Sequence, residues 1–149
     1  MRSRLWLIAP LFLLLFPLAA CRPPLATATV TEVIDGDTIV IATGQRVRYI
    51  GIDAPEIYPQ AERFGQEAWS LNAALVSGKK VTLERDVSRT DQYGRLLRYV
   101  YVDNLFVNAE LVRRGLARAR AYPPDTRYQA SLQGLEDVAR ESGRGMWAK

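Results

Sequence analysis

Acidic residues gather in two short segments of the chain, at positions 35–37 and 53–56. If the strands on either side of a turn at residues 43–44 form a hairpin, the start of one strand lies beside the end of the other. Asp37 then lies next to Asp53, and two neighbouring carboxylates repel each other unless a cation lies between them. A site built from such hard oxygen ligands favours Ca²⁺ or Mg²⁺ over zinc or copper.

Two arginines occur where they could bind a phosphate. Arg48 precedes Asp53 on the same predicted strand, and Arg95 closes a turn of sequence Thr-Asp-Gln-Tyr-Gly-Arg. The planar guanidinium group grips phosphate oxygens in a bidentate manner that lysine cannot reproduce. Strict strand alternation would send Arg48 and Asp53 to opposite faces, so a shared site requires a bend between them. A hairpin turn with a surface arginine is the other interpretation of the Arg95 segment.

The chain contains no histidine, which excludes serine–histidine triads, cysteine–histidine nucleophiles and histidine-ligated zinc. Any chemistry must therefore use carboxylates, arginines, tyrosines, hydroxyl groups and the backbone. Between residues 113 and 127 five arginines stand against a single acid, Asp125. A basic face of this kind suits a polyanion, although on the charges alone a solvated arginine-rich surface is the better explanation.

Hydrophobic patterning predicts five strands and three helices. Turn residues separate β-branched or alternating runs at 28–34, 38–42, 47–52, 80–85 and 96–102. Apolar stripes predict helices from Phe64 to Leu75 and from Tyr128 to Ala139, with a short helix at 108–114 between them. Glycines 78, 115 and 143 are expected to end these helices. The order fits a small barrel with packed helices, and periodicity alone leaves other α+β arrangements open.

Residues 1–20 have the pattern of an export signal. Arg2 and Arg4 precede an uncharged apolar run from 5 to 20, which is shorter than the ~20 residues that a membrane-spanning helix needs. The run ends Leu-Ala-Ala-Cys and resembles the bacterial lipobox, in which Cys21 becomes the lipid-modified first residue. Ordinary cleavage near Ala20, with free secretion, is the alternative. We expect residues 21–27 to be a short tether and residues 28–149 to be the folded domain.

Four segments together resemble the staphylococcal nuclease, or thermonuclease, family, in that family's order. They lie at residues 33–38, 48–56, 90–95 and 107–117, and the similarity runs from about 28 to 147. The resemblance implies a mainly β, α+β fold: an OB-fold, which is a five-stranded barrel, with three packed helices. OB-folds commonly bind nucleic acids on one face.

The resemblance also implies a role for individual residues. Asp37, Asp53 and the backbone carbonyl of Ala54 match the metal ligands, for Ca²⁺ or, as a weaker candidate, Mg²⁺. Asp35 would lie near the metal without binding it directly. Arg48 and Arg95 match the arginines that hold the scissile phosphate, and Glu56 matches the carboxylate that acts on the attacking water. Tyr122 is the one tyrosine where the family has a base-stacking pair, and it either stacks on a base or simply packs.

The implied activity is that of a calcium-dependent, sugar-nonspecific nuclease acting on single-stranded or unwound DNA and RNA and leaving 3′-phosphate ends. The protein would act as an exported monomer, anchored to the membrane through Cys21 or secreted. One alternative is a non-catalytic OB-fold lipoprotein that binds nucleic acid at the cell surface, and the retention of Glu56 and both arginines argues against it. Another is an exported calcium-binding structural domain, which would leave Arg48 and Arg95 without a role.

Overall fold

Five strands close into a barrel in the computed structural model, which describes residues 25–148. Adjacent pairs β3–β2, β2–β1, β1–β5 and β5–β6 are antiparallel, and a parallel β3–β6 pair closes the ring. This is the predicted five-stranded OB-type barrel. Within the described residues the strands are β1 (Ala26–Val33), β2 (Thr38–Ile41), β3 (Arg46–Tyr49), β4 (Ile52–Asp53), β5 (Lys80–Glu84), β6 (Leu96–Val102), β7 (Leu105–Phe106) and β8 (Arg118–Ala119).

Three helices pack on the barrel, as the apolar stripes predict. Each ends two residues before one of the predicted stop glycines, which lie in left-handed conformation at Gly78, Gly115 and Gly143. None of the helices between residues 25 and 148 is long and apolar enough to cross a membrane. The helices are α1 (Gly65–Val76), α2 (Val107–Arg113) and α3 (Gln129–Glu141), and a short 3-10 turn follows at Gly145–Trp147.

The core fills the barrel and the space beneath the helices. Alternating residues of β2 and β3 supply fully buried side chains such as Ile39, Val47 and Tyr49, while Leu111 and Leu132 come from α2 and α3. The 3-10 turn contacts α3, so Met146 and Trp147 fold back on the domain. The barrel is thus a rigid frame for the loops that join its strands.

Two of the five predicted strands differ from the sequence-based expectation by more than one residue. β1 begins at Ala26, so the last two residues of the predicted tether belong to the sheet. The predicted strand over 47–52 is divided into β3 and β4, because Gly51 adopts a left-handed conformation with φ of 79°. The predicted export signal and Cys21 lie outside the described residues.

Gly51 is expected to be a sensitive position for stability. A Cβ atom there would lie 2.7 Å from Cδ1 of the buried Leu132, and positive φ disfavours side chains. We expect Gly51→Ala to lower the free energy of unfolding by about 1–3 kcal/mol, measured by urea denaturation. Gly134→Ala is the matched control: it lies in α3 with open space around it, and should raise stability by roughly 0.5–1 kcal/mol. Equal effects at the two positions would contradict this account of Gly51.

Candidate active site

The loop between β1 and β2 is held in one shape by its own carboxylate and by α1. Asp35 Oδ1 accepts a hydrogen bond from the Asp37 amide at 2.9 Å, and Asn72 of α1 donates to the Asp35 carbonyl at 2.9 Å. Asn72 in turn accepts a hydrogen bond from the buried Tyr49 hydroxyl at 2.9 Å. The absence of a side chain at Gly36 matters, because a Cβ would lie 2.6 Å from that of Ala54. The loop therefore presses directly against the end of β4.

Asp37 is a buried carboxylate, with only 4% of the residue exposed. Its Oδ2 accepts a hydrogen bond from the Ala54 amide at 2.7 Å and forms an ion pair with Arg48, and Thr38 donates to Oδ1 at 3.2 Å. Burial raises the pKa of Asp37 to about 7, with Arg48 opposing the shift and Asp35 adding to it. This is a site of concentrated negative charge.

Arg48 links the two acidic segments. Its Nη2 donates to Asp53 Oδ1 at 2.9 Å, while its Nη1 contacts Asp37 Oδ2 as an ion pair that lacks the alignment of a hydrogen bond. Asp37 and Asp53 therefore lie beside one another, as the hairpin argument predicts. The bend at Gly51 overcomes strand alternation and turns Asp53 to the same side as Arg48.

Glu56 lies just beyond the metal-ligand candidates, on an exposed loop. Its amide donates to Glu62 Oε2 at 3.1 Å and its carbonyl accepts the Glu62 amide at 2.9 Å, so residues 56–62 form a closed loop. Partial burial raises the pKa of Glu56, and the charge of Asp35 adds to the rise while Arg48 opposes it. The carboxylate is thus within electrostatic reach of both the acids and Arg48.

A first cleft of about 410 Å³ brings the predicted phosphate-binding residues together. It is lined by Arg48 and Arg95 and by the aromatic rings of Tyr93 and Tyr122. Asp91 fixes Arg95: one of its carboxylate oxygens accepts Arg95 Nε at 2.7 Å, and the other accepts the amides of Tyr93 and Arg95 at 2.9 and 3.0 Å. The two terminal nitrogens of Arg95 make no hydrogen bond or ion pair within residues 25–148.

Tyr122 lies at the surface of this cleft rather than in the core. The residue is 38% exposed, and the Arg120 guanidinium carbon is 5.4 Å from its ring centroid. The ring of Tyr122 is thus accessible from the first cleft.

Four of the five arginines between residues 113 and 127 form ion pairs with acids, which favours the interpretation as a solvated arginine-rich surface over a single basic face. Arg113 and Arg114 both pair with Glu110, at 2.7 and 2.8 Å, and Arg127 pairs with Glu84 at 2.5 Å. These ion pairs neutralise the charges locally, and the pairing partners precede the run in sequence. Only Arg118 and Arg120 of this run line a cleft beside the acidic segments.

Sequence reasoning missed a second arginine on Asp53. Arg120 Nη1 donates to Asp53 Oδ2 at 2.8 Å, so both oxygens of this carboxylate are bound by arginines. It also missed the supporting hydrogen bonds of Asn72 and Asp91. The turn sequence could have predicted the hydrogen bond from the Tyr93 amide to Asp91, because an Asp side chain commonly accepts a hydrogen bond from the amide two residues later in the chain. No local pattern pointed to Asn72 or Arg120.

The donor set fits a hard divalent cation that takes part of its coordination from solvent or substrate. Within residues 25–148 no group of three or more acidic, histidine or cysteine side chains is placed to hold a metal. Asp37 and Asp53 supply two carboxylates, and the Ala54 carbonyl would add a third oxygen. Calcium takes about 6–8 oxygen ligands in flexible geometry and accepts water among them. Arg48 occupies the space between the two aspartates and would have to release one of them.

Comparisons with known proteins agree with this architecture. A family described as "Staphylococcal nuclease homologue" matches residues 46–149. The chain is 35% identical over 128 residues to the thermonuclease of Staphylococcus hyicus. The aligned residues cover 82% of this chain and 76% of that protein. It is 40% identical over 133 residues to endonuclease YncB of Bacillus subtilis (strain 168), covering 84% and 63% of the two chains.

A relative from a different group of bacteria shows the same similarity. The chain is 35% identical over 153 residues to an uncharacterized endonuclease of Haemophilus influenzae, covering 99% of this chain and 81% of that protein. Because this alignment covers 99% of the chain, it spans all five barrel strands and the acidic and basic residues of the site. The chain therefore belongs to the staphylococcal nuclease family and is a phosphodiester hydrolase.

Proposed function

We propose that this nuclease is calcium-dependent, acts on single-stranded or unwound DNA and RNA without regard to the sugar, and leaves 3′-phosphate ends. The observation that carries the proposal is the position of Arg48. It pairs with Asp37 and Asp53 and also lines the cleft that holds Arg95. A metal site and a phosphate-binding site thus share one residue.

Asp37, Asp53 and the Ala54 carbonyl would hold the cation. When bound, such an ion stabilises the negative charge that develops on the phosphate oxygens. The charges around Asp37 suit this role. Arg48 is the one cation among the groups that shift the pKa of Asp37, and the neighbouring Asp35 adds negative charge.

The remaining roles belong to side chains. Arg48 and Arg95 donate hydrogen bonds to the oxygens of the scissile phosphate, and these strengthen as charge develops. Glu56 accepts a proton from a water molecule as the water oxygen bonds to phosphorus. The bond from phosphorus to the 5′ oxygen breaks, the 5′ oxygen takes a proton from solvent to become a hydroxyl group, and the phosphate stays on the 3′ side. Tyr122 stacks on a neighbouring base.

Removal of the metal is the most direct test of the proposal. We expect calcium to support degradation of single-stranded DNA, magnesium to support it less well, and a chelator to abolish it. Without the cation, Arg48 stays paired with both aspartates and cannot turn to the phosphate. The measurement is the release of fragments from a labelled oligonucleotide with calcium, with magnesium and with chelator.

Restoring calcium to the chelated sample serves as the control and should restore cleavage. Full cleavage in chelator would exclude the metal site at Asp37 and Asp53. Tight binding of the oligonucleotide without cleavage in all three conditions would instead support the alternative of a binding module.

A further inference from the structure

A second cleft lies on the other side of Asp53. Its volume is about 480 Å³, and its lining is mainly polar. Three arginines line it, Arg63, Arg118 and Arg120, together with the acids Asp53 and Glu62. The first cleft contains the groups that hold the scissile phosphate, and none of these three arginines lines it.

The backbone fixes Arg118 and Arg120 on one side of a short strand. β8 pairs with β4 so that Arg118 lies opposite Asp53, and the Arg120 amide donates to the Gly51 carbonyl at 2.9 Å. Ala119, between the two arginines, donates its amide to the buried Glu136 at 2.6 Å. Residues two apart on a strand face the same way, and both arginines line the second cleft.

The acids of the second cleft already have partners. Asp53 accepts hydrogen bonds from Arg48 and from Arg120, and Glu62 accepts one from the Glu56 amide. Among residues 25–148, Arg118 has no ion-pair partner and lies with its guanidinium carbon 5.3 Å from the centroid of the Trp147 ring. A stacked guanidinium keeps its N–H groups free at the edge, and an arginine has five of them. The cleft is therefore able to accept an anion.

The two clefts form a continuous surface past the metal-ligand candidates. Arg120 belongs to the second cleft and lies over the ring of Tyr122, which belongs to the first. Arg120 is also largely exposed, with 59% of its side chain accessible. A polynucleotide held by Arg48 and Arg95 could thus pass over Asp53 and place its next phosphate among the second group of arginines.

We propose that Arg118 and Arg120 form a second phosphate-binding site, for the phosphodiester adjacent to the one that is cut. This inference rests on the proposed function, since it extends the same substrate track. The site takes the chemical class of a nucleic-acid backbone phosphate and carries no base specificity. The enzyme would then favour substrates with several phosphates over a dinucleotide with one.

The binding test uses a ten-nucleotide single-stranded DNA in chelator, with anisotropy measured at several NaCl concentrations. Each phosphate contact on a single strand contributes about 0.7 to the slope of log K against log salt. The variant Arg118→Ala/Arg120→Ala should therefore reduce the magnitude of the slope by roughly 1.4. Arg114→Ala, which removes an exposed arginine just after α2, is the control and should leave the slope unchanged. Arg120→Lys retains the charge and should recover most of the slope that Arg120→Ala loses.

The cleavage test compares the ten-nucleotide substrate with a dinucleoside monophosphate, in calcium. For the double variant, the loss in kcat/KM should be roughly tenfold or more greater on the long substrate than on the short one. Equal losses on both would mean that the arginines act through Asp53, and would overturn the second site. An unchanged salt slope would overturn it as well. If the unaltered protein cut neither substrate, the proposed function would fail while the salt slope still decided the site.

Discussion

Glu56→Gln is expected to lower kcat for single-stranded DNA cleavage by about 10²–10⁴, the usual contribution of a general base. Glutamine has the same size but cannot accept the proton of the attacking water. Because Glu56 is exposed and its backbone contacts with Glu62 do not involve its carboxylate, the fold should be unaffected. Initial rates with saturating substrate and calcium provide the measurement.

Glu67→Gln supplies the matched control for this variant. Glu67 is an exposed acid in the first turn of α1 and makes no contact with the site residues, so it should keep the rate of the unaltered protein. Binding of an oligonucleotide by Glu56→Gln should also persist, because the carboxylate acts on water rather than on phosphate. An unaltered kcat in pure Glu56→Gln would remove Glu56 from the mechanism.

Arg95→Ala should lower kcat/KM by about 10²–10³, the typical cost of losing one preorganised donor to a developing charge. Asp91 binds Arg95 through Nε, and within residues 25–148 the two terminal nitrogens have no hydrogen-bond partner. Those nitrogens can then donate together to two phosphate oxygens. Steady-state kinetics on a single-stranded oligonucleotide will report the loss.

Arg95→Lys distinguishes geometry from charge. It keeps the positive charge but loses the bidentate fork, so it should recover only part of the lost kcat/KM. Arg114→Ala, at an exposed position just after α2, controls for the removal of a positive charge from the surface. If Arg95→Ala cleaves as fast as Arg114→Ala, the phosphate is held by other groups.

Local patterns were sufficient to predict the strands and the pairing of Asp37 with Asp53. The hairpin between β2 and β3 follows from short-range turn signals, and its register sets Thr38 opposite Arg48, which brings Asp37 to the end of β3. The bend at Gly51 then brings Asp53 beside Asp37. The apolar stripes of α1 and α3 have a period that only a helix satisfies. These features depend on residues close in sequence, and they agree with the structure.

The contacts that complete the site join residues far apart in the chain, which local patterns do not reveal. Arg120 and Asp53 are separated by 67 positions, and only the pairing of β4 with β8 brings them together. The bend at Gly51 is a second case, since a continuous alternation from 47 to 52 conceals it. The export signal and the lipid anchor at Cys21 stay predictions from the sequence.

The parallel pair β3–β6 links catalysis to the completion of folding. It sets Arg48 opposite Leu97, two residues after Arg95, and it joins parts of the chain about fifty residues apart. Such non-local pairings form late, because the entropy of closing the intervening loop must be overcome first. A chain in which the β2–β3 hairpin and the helices have formed, but the β3–β6 pair has not, contains Arg48 and Arg95 without holding them together. Such a chain has no phosphate-binding site. The enzyme thus becomes able to cut nucleic acid only when its barrel closes.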